Sequence, residues 1–181
     1  MTLAPVALAL YLLTAGGEPP RTIGLDARQP GRDLARGAVL AAVIGGAGLA
    51  LYVAAFRLGL NVKVVPESLP PAWWRFPVLV LDGLQNGVLE EILVVGYLLR
   101  RLDQLNWRPG WSMAASAVLR GSYHLYQGFG GFCGNAAMGL VFVWLYRRWG
   151  RVTPLIIAHA LIDAVAFTGY AALVGHVSWL P

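Results

Sequence analysis

The stretch FPVLVLDGLQNGVLEEILVVGYLLRRL, Phe76 to Leu102, decides the reading of this chain. It is long enough to cross a bilayer, which takes about 20 mostly apolar residues. Yet adjacent carboxylates, Glu90 and Glu91, sit in its middle. Asp82, Asn86 and Glu90 follow one another at i, i+4 and i+8, so a helix lines them up as one polar stripe. Gln85 lies close to the side of that stripe, and Glu91 is about 100° round the axis. A polar seam that hydrogen-bonds helices together accounts for Gln85, Asn86 and Asp82. It accounts poorly for paired glutamates, because an amide would serve at lower cost. Ionisable groups at bilayer depth are costly and mark functional sites.

The rest of the chain has the same character. Of 181 residues 57% are hydrophobic, without counting glycine, and 13% are charged. Soluble domains are about 45–50% apolar with glycine included and about 25% charged. Mean hydropathy is +0.61. We therefore expect one polytopic membrane protein embedded in a lipid bilayer. Net charge is +5, carried by 13 arginines and one lysine. Most lie in short loops between apolar runs, so they read as topology charges rather than a nucleic-acid surface. A single cysteine, Cys133, excludes an internal disulfide and a Cys-rich metal site, and reads as a small packing residue.

Six hydrophobic segments are expected: Thr2–Ala15, Gly37–Leu60, Phe76–Leu102, Trp111–Gln127, Gly130–Tyr146 and Val152–Val174. The first is short and lacks a basic n-region and a cleavage site, so it reads as the tail of a first span whose beginning is missing. That leaves about five full spans. Glu18-Pro19-Pro20, Pro66 with Pro70-Pro71, Pro109-Gly110, Gly128–Gly131 and Gly150 separate the segments. Basic residues in successive loops number four (Arg21, Arg28, Arg32, Arg36), two (Lys63, Arg75), three (Arg100, Arg101, Arg108), none, and three (Arg147, Arg148, Arg151). This alternation places loops one, three and five in the cytoplasm and the N-terminus outside, in a plasma (inner) membrane. Arg57 is a mild exception that snorkelling accommodates. Trp73, Trp74, Trp107, Trp111, Trp149 and Trp179 flank the spans as interfacial aromatics do. The spacing Gly130-xxx-Gly134 suits close helix packing.

Partners for the glutamates lie on other spans. Arg120 and His124 are i, i+4 on segment four, and His159 and Asp163 are i, i+4 on segment six. Arg120 within a span needs a carboxylate, for which Glu91 is the candidate. Asp163 could fix the tautomer of His159. A Glu–His pair can deprotonate water for hydrolysis while a second His donates to an oxyanion. A divalent metal such as zinc is open, with Glu90, His124 and His159 as its ligands. There is no HExxH sequence, so any such site is assembled from different helices. A proton or ion pathway would use the same residue types.

Glu90-Glu91-Ile-Leu-Val-Val95-Gly96-Tyr97, Tyr123-His124 and His159-Ala-Leu-Ile-Asp163 together resemble the CAAX-protease and bacteriocin-processing (CPBP, or Abi) family of intramembrane peptidases. The order matches: a Glu-Glu motif, a His on the next span, then His-xxx-Asn/Asp near the C-terminus. Each motif is short and weak alone; the ordered trio is fairly specific. The likeness covers about residues 76–175, a CPBP-like catalytic core, with residues 1–75 supplying N-terminal spans and loops. It implies that Glu90 activates the water with His124 as partner, that His159 and Asp163 form the oxyanion side or complete a metal site, and that Glu91 is a supporting acid. The implied substrate is a peptide or membrane protein, cleaved as a CAAX prenyl endopeptidase would, by a glutamic or metallo mechanism. Two positions depart from the pattern: Val95 stands where EExxxR has Arg, and Arg120 where FxxxH has Phe. The arginine lost from one span returns on the next, where it can replace the partner of Glu91.

The expected architecture is an all-α transmembrane bundle whose last four spans surround a polar cavity. The expected function is intramembrane peptide-bond hydrolysis. The alternatives are a non-catalytic membrane scaffold of the same fold and a small proton-coupled transporter. A transporter needs polar residues leading to both faces, and segments two and five have few beyond Asn135. Helix rise raises one difficulty, since His159 falls roughly 10 Å from the cytoplasmic end of its span, Glu90 about 18 Å and His124 about 20–22 Å. His176 has no assigned role, and the sequence leaves the oligomeric state open.

Overall fold

A computed structural model describes residues 2–59, 69–70 and 72–173. Met1, Leu60, Lys63, Pro66, Pro71, Val174, His176 and Trp179 lie outside the described residues. The regular elements are all helical: α1 (Ala4–Ala15), α2 (Pro30–Arg57), α3 (Arg75–Glu90), a π-helical segment (Glu91–Tyr97), α4 (Leu98–Gln104), α5 (Pro109–Tyr123), α6 (Phe129–Trp149) and α7 (Thr153–Leu173).

α2, α6 and α7 are long and apolar enough to cross a membrane. α3, the π segment and α4 form one continuous rod from Arg75 to Gln104, well beyond the roughly 20 residues a span requires. The fourth expected span is shorter than its apolar run. α5 has 15 residues, or about 22 Å at the helical rise. It ends at Tyr123, and a 3-10 turn over Leu125–Gln127 and Gly128 at φ 91° lead into α6. The mismatch in rise expected for His124 does not keep the residues apart, since its imidazole stands 4.0 Å from the Glu90 carboxylate. α2 begins seven residues before its apolar run, at Pro30, whose fixed φ suits the first helical turn.

The core is set by glycine. A Cβ on Gly83 would lie 2.7 Å from the Ala164 backbone nitrogen, and one on Gly87 2.8 Å from that of Ala160. α3 and α7 thus meet backbone to backbone, as small-xxx-small pairs allow. On the other side Gly139 of α6 meets the Ala117 Cα of α5 at 3.1 Å by the same measure. The expected packing spacing at Gly130 and Gly134 is less decisive, since among the described residues Gly134 meets only the Leu51 side chain. Val95, Leu99, Phe142, Val143, Leu155 and Ala158 fill the main core, with Leu40 from α2. α1 seals the π segment through Val6 and Leu13 against Ile92, Ile23, Val152 and Ile156. Cys133 is free and exposed on α6 rather than packed.

The three arginine-rich loops gather at one end. Arg151 donates to Asp33 at 2.6 and 2.9 Å and to Asp26 at 3.0 Å. Glu18 pairs with Arg100 and Arg101, and Arg147 donates to Asp103 at 2.8 Å. Gly24, at φ 69°, lies so close to the Gly150–Arg151 backbone that a Cβ would come within 2.2 Å of the Arg151 Cα. Val152 then donates its amide to Ile23. The Arg28 amide and the Arg151 guanidinium hold the Asp26 carboxyl below its usual range. Burial pushes Glu18 upward, but donation from Arg100, Arg101 and Gln104 outweighs it and holds that carboxyl low too.

Candidate functional site

Glu90 is the last residue of α3, and Glu91 opens the π segment. A π turn widens the helix to i→i+5 bonding and is frequent at functional sites. Its consequence is local. The carbonyl of Val94, inside the wide turn, accepts a bond from the buried Ser116 hydroxyl of α5 at 2.8 Å. Val95, also there, is fully buried among apolar side chains.

The two glutamates face different environments. Glu91 is wholly buried, as is Arg120. Its Oε1 accepts from Arg120 Nη2 at 2.6 Å and from His159 Nδ1 at 2.7 Å. The Phe142 ring packs against both donors, with the guanidinium 5.4 Å from its centre and the imidazole edge-on. Arg120 of α5 thus pairs with Glu91 across the helix interface. Glu90 keeps 13% of its side chain exposed and His124 keeps 12%, so both face the open side of the cluster.

Glu90 Oε1 stands 4.0 Å from His124 Nε2, and its Oε2 accepts from the Tyr123 hydroxyl at 2.6 Å and lies 3.7 Å from Arg120 Nη1. His124 Nδ1 donates to the Arg120 carbonyl at 2.9 Å. In the neutral imidazole this bond leaves Nε2 as a lone pair aimed at Glu90. Two acceptors at 4.0 Å match the spacing across one water that donates a hydrogen bond to each.

Asp163 sits further from His159 than the i, i+4 spacing implies. Its Oδ1 is 3.7 Å from His159 Nε2, beyond a direct hydrogen bond, and its Oδ2 accepts instead from Asn86 Nδ2 at 3.2 Å. Asn86 is thus a seam residue, as expected, and it also fixes the aspartate. Periodicity and charge assign Tyr123 no role; its one signal in the sequence is its place beside His124, i+3 from Arg120.

The structure brings Glu90, Glu91, Arg120, His124, His159 and Asp163 into one cluster, but as two subsites. Glu90 faces His124, while His159 faces Glu91. Among the described residues no three His, Cys, Asp or Glu side chains converge to hold a metal ion. The expected metal ligands Glu90, His124 and His159 are divided between these two subsites.

A family model described as type II CAAX prenyl endopeptidase Rce1-like matches residues 72–165. That interval holds every residue of the cluster. No curated protein and no solved structure matches the chain.

Proposed function

The chain belongs to the type II CAAX prenyl endopeptidase Rce1-like family, a family of CAAX-type intramembrane proteases, and from that premise we propose that it hydrolyses peptide bonds with a water held between Glu90 and His124. The spacing of those two acceptors carries the reading. The water donates one hydrogen bond to each group and gives up only the proton that faces Glu90. Glu90 takes that proton as the oxygen attacks the scissile carbonyl carbon, and the electron pair of the C=O bond moves to its oxygen. As an imidazolium, His159 donates Nδ1–H to Glu91 and offers Nε2–H to that oxyanion. Collapse of the tetrahedral intermediate re-forms the C=O bond and breaks the C–N bond. Glu90 then returns its proton to the departing amine.

Glu91 and Arg120 have a supporting part. A carboxylate with two buried donors holds His159 in place without moving itself, which is the preorganisation that oxyanion stabilisation requires. The substrate in this reading is a membrane-associated or C-terminal peptide. The arginine-rich end lies in the cytoplasm, in keeping with the loop charges.

The test is cleavage of a fluorogenic membrane-peptide library, with and without a C-terminal prenyl group, by purified protein in bilayers. Wild type should cleave, and Glu90→Gln should lose at least about 100-fold, the usual share of general-base catalysis. Parallel reactions with a zinc chelator decide the metal question. Glu90→Gln cleaving as fast as wild type would end this mechanism.

A further inference from the structure

We propose that Tyr123 is a positioning residue: its hydroxyl holds Glu90 in the orientation that serves the water and keeps it from closing onto Arg120. The proposal rests on Glu90 being the base.

Three groups compete for Glu90, and all come from the C-terminal end of α5. Tyr123 donates to Oε2 at 2.6 Å. Arg120 Nη1 lies 3.7 Å from the same oxygen, is buried, and has no hydrogen-bond partner among the described residues. His124 Nε2 faces the other oxygen. A buried guanidinium nitrogen without a partner is costly, so it draws any carboxylate oxygen within reach. The tyrosine holds that oxygen at a distance from the guanidinium. An O–H···O⁻ bond at 2.6 Å is in the strong, charge-assisted range, and it fixes Oε2 and therefore the direction of Oε1.

Without the hydroxyl, Oε2 still faces the Arg120 Nη1 donor at 3.7 Å. Closing that gap turns the carboxylate about its terminal torsion and swings Oε1 away from His124. The water then loses one of its two acceptors, and the base becomes the partner of an arginine. Arg120 would also be shared between two carboxylates rather than reserved for Glu91. The tyrosine thus separates two adjacent glutamates into a mobile-proton site and a fixed ion pair. The ring of His124, the next residue in the chain, is tilted against its own, with centroids 4.7 Å apart, so the phenol and the imidazole are delivered as a unit.

Tyr123→Phe removes only the hydroxyl, from a residue that is 37% exposed, so it opens no buried cavity. In bilayers it should lower kcat about tenfold while KM stays within about twofold, the pattern for an interaction realised beyond substrate binding. The melting temperature should not change. Two outcomes overturn the inference while leaving the base assignment intact: wild-type kcat in Tyr123→Phe where Glu90→Gln is inactive, or a fall in activity that only tracks a fall in melting temperature. Wild-type cleavage by Glu90→Gln removes both. A second measurement needs no activity. With 3-fluorotyrosine at position 123, the fluorine resonance should move on Glu90→Gln, and an unmoved resonance overturns the contact itself.

Discussion

Replacing Arg120 with methionine should be the most damaging single change to folding at the site, and the reason can be worked through. Arg120 and Glu91 are both fully buried. Their charge centres are about 4 Å apart, which at an effective dielectric constant of about 20 gives an attraction of about 4 kcal/mol. Removing one partner of a buried pair costs about 3–5 kcal/mol, because the other charge is left uncompensated. Glu91 would retain His159, which places Arg120→Met toward the lower end, at about 3 kcal/mol. That is a substantial part of the roughly 5–15 kcal/mol that holds a folded protein together, and it shifts the folding equilibrium about 150-fold. The assay is reversible unfolding in mixed micelles, with Glu91→Leu and the double variant completing a cycle. The double variant should recover most of the loss, since a buried pair replaced by apolar groups of similar size is often neutral. If Arg120→Met costs under about 1 kcal/mol, or if the two single losses simply add, the pair is not the buried, mutually compensated unit described here.

Packing and pH give further predictions. Gly87→Ala places a Cβ against the backbone of Ala160 and Ile156. It should destabilise by about 1–3 kcal/mol as overpacking does, and it should lower peptidase activity by prising Glu91 from His159 one turn away. Gly46→Ala, with nothing within 4 Å among the described residues, should be neutral or slightly stabilising in the same denaturation and activity assays. Glu18 and Asp26 both titrate below their ordinary values in the folded protein. Their contribution is therefore present above the unfolded values of about 4 and lost as pH falls through the folded ones. The melting temperature should be insensitive to these groups near neutrality and should drop below about pH 4. Asp26→Asn should flatten part of that drop.

Much of this molecule is legible as a string. Hydropathy sums along the chain, so the bilayer environment and the all-helical class follow from composition and run length alone. The alternation of arginines between loops foretold that loops one, three and five share an end, and Arg151, Glu18 and Arg147 bind across that end. Arg120 was legible because a cation inside an apolar run needs a carboxylate and few were on offer. The division of labour between Glu90 and Glu91 was not. They are neighbours with the same side chain and much the same local hydropathy. What separates them is distance to atoms 29, 33 and 68 positions away. Those distances depend on where α5 stops, on how closely Gly83 and Gly87 let α7 approach, and on a π turn whose Val94 carbonyl is satisfied by Ser116. A helical period read from sequence assumes a constant 3.6 residues per turn. The wider turn at Glu91 exists only where tertiary neighbours complete its hydrogen bonds, so the orientation of the two carboxylates belongs to the tertiary structure alone.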